Sequence, residues 1–110
     1  MYKYQISDYF KKHLRMLLKK DPQLKNVVFE TLKNFSKEQA ISLGNGVYKL
    51  RIKRSGSGKS GGYRLLLLVA EFAKQIAPIY IYSKADRATI SMEEIIIHLE
   101  RTKRELGMFG

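Results

Sequence analysis

The fold is decided by residues 47–69, which read VYKLRIKRSGSGKSGGYRLLLLV. Cationic and apolar residues alternate over 48–53, and successive side chains of a β-strand point to opposite faces. A strand over 47–54 therefore presents its cations on one face and its apolar residues on the other. A turn over 55–62 with four glycines follows. The next strand, over 63–72, is nearly all apolar in its middle, which predicts a central strand covered on at least one face.

The cations of this stretch predict a polyanionic partner. No acidic residue lies between residues 49 and 64, whereas six cations do: Lys49, Arg51, Lys53, Arg54, Lys59 and Arg64. The chain of 110 residues carries 21 Lys and Arg against 10 Asp and Glu, a formal net charge of +11. Because 45% of the residues are hydrophobic, the cations belong to a globular chain and not to a disordered tail, which favours nucleic acid. A solvated cationic surface is the competing interpretation.

The composition disfavours several other classes of protein. No apolar run is long enough to span a bilayer, and no helix carries a dense Lys/Arg face, so we expect no membrane partner. The lack of cysteine excludes disulfides and thiolate metal sites. The first residues, MYKYQISDYF, do not resemble a signal peptide, and we expect a cytoplasmic protein. His13 and His98 lack paired carboxylates, so we expect neither a metal nor a cofactor.

The N-terminal part of the chain reads as a short strand and two helices. Tyrosine and isoleucine alternate with polar residues over 2–6, which predicts a strand. Ser7 or Asp8 can cap a helix that runs to about residue 20. Asp21 is a good N-cap for a second helix, because a proline follows it at the first helical position. The turn between the two helices is very short, which predicts a helical hairpin.

The remaining segments complete the order β, α, α, β, β, β, α. Residues 36–46 form a connector, and residues 77–83 form the last strand. Ser91 followed by Glu94 is a capping-box signature that opens a C-terminal helix. We therefore expect an α+β fold, a small antiparallel sheet packed against the N-terminal helical hairpin and the C-terminal helix.

The glycine-rich turn does not have the pattern of a nucleotide-binding P-loop. That motif needs a glycine five positions before the glycine of Gly-Lys-Ser, and Lys53 occupies this position. A P-loop must also open a helix, whereas a strand follows here. A hairpin loop is the better interpretation, from which Lys59 can reach a phosphate.

Aromatic residues accompany the cations on the last strand. Tyr80, Tyr82 and Lys84 share one face, where a tyrosine can stack a base while cations neutralise phosphates. We interpret Tyr80 as a core residue, whereas base stacking and a core position are equally open for Tyr82. For His13 we expect a structural role beside the first helix's apolar stripe, and for His98 a place at the edge of the last helix's packing face.

Residues 46–86 resemble the RelE/HigB family of bacterial toxins from type II toxin–antitoxin systems. The resemblance is carried by GVYKLRI, GSGKSGGYR and IYIYSKAD in that order. It implies one RelE-like domain over 1–110, a ribosome-dependent endoribonuclease that cleaves mRNA without a metal, and a cognate antitoxin, typically of helix-turn-helix type. The connector lacks a proline often found there, and relatives differ in which residue is the base or acid, so these two roles stay open.

By motif position, four residues match the family's basic residues: Arg51, Lys59, Arg64 and Lys84. RNA is cut when its 2′-hydroxyl attacks the adjacent phosphorus, and clustered cations stabilise the phosphorane that forms. We assign Arg64 to phosphate stabilisation, Lys84 or Lys53 to proton transfer, and Tyr82 to base stacking or orientation. RNA binding is assigned to Lys49, Arg51, Arg54 and Lys59. An acidic segment of the antitoxin is expected to shield part of this cationic surface.

Two expectations qualify this assignment. Arg64 begins an apolar strand in which the core needs no charge, so we expect its side chain at the surface and an alanine there to leave stability nearly unchanged. The alternative functions are a non-enzymatic module that binds nucleic acid or the ribosome, and a ParE-like inhibitor of DNA gyrase, which shares the fold.

Overall fold

The computed structural model describes residues 1–54 and 62–107, which contain five strands, three α-helices and one short 3₁₀ turn. In chain order these are β1 (Lys3–Tyr4), α1 (Asp8–Leu18), α2 (Leu24–Lys33), the 3₁₀ turn (Lys37–Gln39), β2 (Ile41–Gly44), β3 (Val47–Ile52), β4 (Tyr63–Ala70), β5 (Gln75–Ser83) and α3 (Met92–Leu106). The α+β class is confirmed. Residues 55–61 of the predicted turn over 55–62 lie outside the described residues.

The strands form one sheet in the order β1-β5-β4-β3-β2. Neighbours pair antiparallel except for β1 and β5, which are parallel. The sheet is therefore mixed: four of its strands pair as the expected small antiparallel sheet, and β1 adds a parallel pair at its edge. The N–H groups of Lys3 and Gln5 donate to the carbonyls of Lys74 and Ile76 at 2.9 and 3.0 Å. A partner 72 residues away leaves no local signal in the sequence.

The connector over 36–46 contains structure that the sequence pattern did not indicate. Ser36 caps the 3₁₀ turn by accepting from the N–H of Glu38, and β2 follows. β2 is a four-residue edge strand whose residues are mostly exposed. A short strand with no buried face has no alternating pattern, because nothing selects apolar residues at every second position.

The helix caps were predicted correctly at two of three helices. The Ser7 hydroxyl accepts from the N–H of Phe10, and the Ser91 hydroxyl accepts from the N–H of Glu94. Asp21, in contrast, is not the N-cap of α2, which begins later and has no side-chain cap. Its carboxylate is used in an ion pair with Arg54.

The two faces of the sheet are covered by different helices. The first face, here called the hairpin face, packs on α1 and α2, with Phe10, Leu32, Leu50, Leu65 and Leu67 in one buried cluster. The opposite face, the α3 face, packs on α3, and its cluster includes Val47, Leu66, Leu68, Ile95 and Leu99. Alternate leucines of β4 thus enter different cores, and this explains why the strand is apolar without interruption.

The two helices at the ends of this chain are joined to each other. The Glu105 carboxylate, near the end of α3, accepts from the backbone N–H groups of Asp8 and Tyr9. These are among the first N–H groups of α1, which have no partner inside the helix. A carboxylate there also complements the positive end of the helix dipole. The first turn of α1 is therefore completed by the last turn of α3.

Gly62, directly before β4, is required by the backbone. Its φ is +56°, a region that favours glycine. A Cβ atom at this position would lie 2.1 Å from the carbonyl oxygen of Ile52. Only a glycine allows β3 and β4 to approach each other this closely at the start of the hairpin.

Leu67→Ala should lower the free energy of unfolding by about 2–5 kcal/mol, because it leaves a cavity under α1 and α2. Leu67 is fully buried, as the sequence predicted for the middle of β4. Urea unfolding measures the change. Ile97→Ala is the control, since Ile97 is 56% exposed on α3, and it should change stability by no more than about 0.5 kcal/mol. Equal effects of the two substitutions would contradict this packing.

Candidate nucleic-acid interface

The register of the sheet brings the predicted cations together in cross-strand rows. Arg51 of β3 lies opposite Arg64 of β4, which lies opposite Tyr82 of β5. In the adjacent row, Lys49 and Tyr80 lie on either side of a buried leucine of β4. Directly opposed residues share a face. Both rows therefore belong to the α3 face, and we call Lys49, Arg51 and Arg64 the cationic face.

Two more cations lie at the end of these rows. The Lys84 N–H donates to the Gly62 carbonyl at 2.9 Å, which continues the pairing of β4 with β5 by one step. When the register of β3 with β4 is extended by one residue, Lys53 lies opposite Gly62 as well. The Lys84 side chain is anchored, because its Nζ donates to the carbonyl of Ala88 at 2.7 Å. Both candidates for proton transfer thus lie at the Gly62 end of the cationic face, whereas Lys59 lies outside the described residues.

Arg64 is the least exposed member of the cationic face. Its relative exposure is 9%, whereas Arg51 is exposed and Lys49 is half-buried. Its guanidinium donates to the carbonyl of Tyr63 at 3.3 Å. The expectation that the Arg64 side chain lies at the surface was therefore wrong. Because the guanidinium keeps its charge in proteins, it places a fixed positive charge in a partly desolvated position.

Tyr82 lies beside Arg64 on the same face of the sheet and is buried, with 5% exposure. Its ring stacks on Tyr80 at a centroid distance of 6.1 Å, and the Arg87 guanidinium lies 5.7 Å from its centroid. Burial raises the pKa of the Tyr82 hydroxyl, and the charges of Arg64 and Arg87 oppose that shift. Such a ring supports the arginines around it, and it offers little open surface to a base.

Arg54 does not belong to the cationic face. Its guanidinium makes a bidentate ion pair with the Asp21 carboxylate, with both distances 2.8 Å, and the Tyr63 hydroxyl donates to the same carboxylate at 3.2 Å. Tyr63 packs against the hairpin-face core. The side chain joins the end of β3 to the segment before α2, and the assignment of Arg54 to RNA binding stays a prediction.

A network of aromatic and charged side chains supports the β5 tyrosines from α3. The His98 imidazole is buried and stacks on the Tyr80 ring at 3.9 Å with an interplanar angle of 8°. One ring nitrogen lies 2.5 Å from the Tyr9 hydroxyl, and the other lies 3.1 Å from Glu94. His13 completes the cluster, since its ring lies 5.1 Å from that of Tyr80. The structural role expected for His13 agrees with this position, whereas His98 is central in the cluster and not at its edge.

The charged groups of this network determine which of its atoms donate and which accept hydrogen bonds. Glu94 makes a bidentate ion pair with Arg87 at 2.8 and 2.9 Å, and the Arg87 hydrogen bond is the largest cause that lowers the Glu94 pKa. Burial lowers the pKa of His98. A neutral imidazole has one donor nitrogen. Because Glu94 is a carboxylate acceptor, the nitrogen beside it carries the proton, and the Tyr9 hydroxyl donates to the other nitrogen.

The sequence pattern did not indicate this network as a unit. Glu94 and His98 have the i, i+4 spacing that brings two side chains together on a helix. That spacing was a usable signal, but Tyr9 and Arg87 come from other segments. Half of the predicted capping box forms, because the Glu94 side chain turns to Arg87 and does not return to the helix start.

Residues 1–54 and 62–107 contain neither a metal site nor a membrane-spanning helix. No group of three His, Cys, Asp or Glu side chains there is placed to hold a metal ion. No helix in the described part of the chain has both the length and the apolar character needed to cross a membrane.

Comparison with known proteins identifies the family. A family model described as the RelE toxin of the RelE/RelB toxin–antitoxin system matches residues 3–108. The chain belongs to the RelE toxin family. It is a toxin of a toxin–antitoxin system, and the resemblance inferred from its motifs is confirmed. An antitoxin is accordingly its partner in such a system.

Comparison of structures supports the fold. A mutant of the E. coli toxin RelE in the free state matches with a TM-score of 0.55 and 20% sequence identity. The match covers 91% of this chain and 96% of that chain. At this identity the likeness concerns the fold, that is, the sheet with its helices. No curated protein sequence matches the chain.

Arg54→Ala should lower the free energy of unfolding at pH 7 by about 1–3 kcal/mol, because it leaves a half-buried carboxylate without its ionic partner. The pKa of Asp21 is lowered in the folded protein, chiefly by its hydrogen bond with Arg54. The contribution is complete above the unfolded pKa of about 4 and is lost as the pH falls through the folded pKa. The difference from wild type, measured by urea unfolding, should therefore be full at pH 7 and shrink below about pH 4.

Lys53→Ala is the matched control for this experiment. Lys53 is the adjacent residue and is exposed, so its loss should change stability by no more than about 0.5 kcal/mol. The variant should, however, weaken RNA binding more than Arg54→Ala does. An Arg54→Ala protein with unchanged stability and reduced RNA affinity would place Arg54 in the RNA-binding set.

Proposed function

We propose that this toxin is a ribosome-dependent endoribonuclease that cleaves mRNA in the cytoplasm. The observation that supports the proposal most directly is the cross-strand row in which Arg51, Arg64 and Tyr82 meet, with Lys53 and Lys84 at its end. Membership of the RelE toxin family agrees with it. The silencing partner that we propose is a cognate antitoxin of helix-turn-helix type.

The arginines are suited to stabilising the transition state of RNA cleavage. Attack of the 2′-hydroxyl on phosphorus concentrates negative charge on the non-bridging oxygens. Arg64 is held in place by burial and by its contact with the Tyr63 carbonyl, so its charge needs little reorganisation during the reaction. Arg51 is exposed beside it and is free to follow the phosphate as the charge develops. A guanidinium can bind two phosphate oxygens at once, which also fixes their orientation.

The two lysines are suited to proton transfer. Cleavage requires removal of a proton from the 2′-hydroxyl and donation of one to the 5′-oxygen that leaves. Lys53 and Lys84 lie at the same end of the cationic face. Gly62 lies between them, with Lys53 on the β3 side and Lys84 on the β5 side. We propose that these two lysines share the roles, with Lys84 the better positioned because its Nζ is anchored by the Ala88 carbonyl.

Dependence on the ribosome follows from the openness of this surface. Arg51 and Lys53 are exposed on a sheet face, where they can bind phosphates. Charge attraction alone does not hold a flexible RNA with its 2′-oxygen in line with the leaving oxygen. We propose that the ribosome supplies this alignment and that the toxin supplies the charges.

Controlled expression of the toxin should stop growth and produce new mRNA 5′ ends inside translated codons, whereas the same RNA free of ribosomes should be cut poorly. Mapping of 5′ ends after induction measures this. Arrest of translation with all reporter transcripts intact would favour a non-enzymatic ribosome-binding module. Arrest with altered DNA supercoiling and intact transcripts would favour a ParE-like gyrase inhibitor.

Arg64→Ala should reduce single-turnover cleavage on the ribosome about 10²- to 10³-fold, the usual effect of removing one preorganised donor to a developing anion. Because the side chain is buried, the variant should also lose about 1–3 kcal/mol of stability, in contrast to the first expectation from the sequence. Assays are run at a temperature at which the variant is folded. Lys33→Ala, an exposed cation on α2, is the control and should retain wild-type cleavage. Full cleavage by folded Arg64→Ala would remove Arg64 from the site.

A further inference from the structure

The segment between β5 and α3 carries the anchor of the Lys84 side chain. Its middle residues, Ala88 and Thr89, are exposed and belong to no helix or strand, so burial does not hold them in place. The Ala88 carbonyl accepts from the Lys84 Nζ at 2.7 Å, and the Thr89 carbonyl accepts from the Arg87 Nε at 3.0 Å. Two adjacent carbonyls of this segment are thus each held by a side chain.

Arg87 is held in turn by α3. Its terminal nitrogens, Nη1 and Nη2, donate to the two carboxylate oxygens of Glu94 at 2.9 and 2.8 Å, while Nε stays on the Thr89 carbonyl. The Tyr82 ring lies 5.7 Å from the guanidinium carbon. All three nitrogens of the planar guanidinium are therefore engaged, and such a fork fixes the orientation of the groups that it joins.

The Glu94 carboxylate is fixed from the core side. The oxygen that accepts from Nη1 of Arg87 also accepts from Nε2 of His98 at 3.1 Å. The His98 ring is buried and stacks on Tyr80, so the core holds it in place. A continuous series of contacts thus runs from a buried ring through Glu94 and Arg87 to the carbonyl that anchors Lys84.

Stability alone does not account for this arrangement. The side chains of Arg87 and Glu94 are 34% and 31% exposed, and an ion pair with that much access to water adds little to the free energy of folding. The pair does, however, determine where the backbone of residues 88–89 lies. That backbone sets the direction of the Lys84 side chain, which is at the Gly62 end of the cationic face.

We propose that Glu94 and Arg87 are positioning residues that act through the Ala88 carbonyl and hold the Lys84 ammonium at the 5′-oxygen that leaves during cleavage. An ammonium has three N–H groups, so one stays on Ala88 while another gives its proton to the substrate. The catalytic role of Lys84 rests on the proposed function, whereas its anchoring through Glu94 does not.

The proton transfer balances as follows. The 2′-hydroxyl loses its proton to a base, the role left to Lys53, and its oxygen forms a bond to phosphorus. The bond from phosphorus to the 5′-oxygen breaks, its electron pair stays on that oxygen, and the oxygen takes a proton from the Lys84 Nζ. The products are a 2′,3′-cyclic phosphate and a 5′-hydroxyl, and Lys84 regains its proton from water.

The first measurement tests the anchoring without RNA or ribosomes. The whole toxin is acetylated briefly with an N-hydroxysuccinimide ester, and the rate at Lys84 is measured by mass spectrometry with Lys33, exposed on α2, as the internal reference. Glu94→Gln should raise the rate at Lys84 about fivefold relative to the reference, the effect of one lost hydrogen bond. Glu100→Gln, which changes an exposed carboxylate of the same helix, is the matched control and should leave the rate unchanged.

The second measurement tests the consequence for cleavage. Single-turnover cleavage on the ribosome is compared for mRNA with the natural 5′-oxygen and for mRNA with sulfur in place of that one oxygen. Glu94→Gln should cleave the oxygen substrate about tenfold more slowly, because the proton donor is misplaced. It should cleave the sulfur substrate within about twofold of wild type, because a thiolate leaves without a proton. Ribosome affinity should be unchanged, whereas a merely structural defect would slow both substrates alike.

Lys84→Ala completes a double-mutant cycle. Alone it should slow cleavage of the oxygen substrate about 10²- to 10⁴-fold, the usual contribution of a general acid. Adding Glu94→Gln should slow it no further, because the second change acts only through Lys84. Arg87→Lys keeps the charge but lacks the fork that joins Glu94 to the Thr89 carbonyl, so it should behave as Glu94→Gln does, and it takes the place of that variant should the latter not fold.

Three results would overturn the proposal: unchanged acetylation of Lys84 in Glu94→Gln, equal slowing of the oxygen and sulfur substrates, or additive effects of the two substitutions. A folded wild-type toxin that cuts no mRNA on the ribosome would refute the proposed function and with it the catalytic role of Lys84. The acetylation rates would still decide whether Glu94 anchors that side chain, because they involve no RNA.

Discussion

The pairing of β3 with β4 is the interaction on which the rest of this structure depends. It places Arg51 directly opposite Arg64, an arrangement of like charges that weakens a sheet. The cost is offset in the same ladder by Leu65 and Leu67, which are fully buried on the other side of the strand. Apolar burial on one face thus allows repulsion on the opposite face.

The sequence predicted the parts of the fold whose signals are local. Alternation over β3 and the long apolar run of β4 identified the central hairpin, and Ser7 and Ser91 identified two helix starts correctly. β2 and the parallel pairing of β1 could not be found in this way, because an exposed edge strand has no periodic pattern and a partner 72 residues distant leaves no local signal. Asp21 shows the limit of cap rules, since a long-range ion pair with Arg54 outcompeted the helix N-terminus.

The sequence predicted on which face of a strand the candidate site residues lie, but it did not predict how deeply they are buried or which side chains support them. Strand alternation placed Lys49 and Arg51 on one face, and the register adds Arg64 beside Arg51. Burial was not predictable from alternation, because alternation gives the face of a strand on which a side chain lies and not what covers that face. For the same reason Tyr82 turned out to be buried, and the supporting network of His98 and Glu94 was missed.

The contact of Glu105 with the start of α1 constrains the order in which the chain can fold. The carboxylate and the N–H groups that it accepts from are separated by 96 and 97 residues. The first helix therefore forms early from local contacts but gains its final hydrogen bonds only after α3 has docked. During synthesis on a ribosome, the N-terminal segment is made long before the residue that completes it. The toxin can thus reach its final fold only after residue 105 has been synthesised.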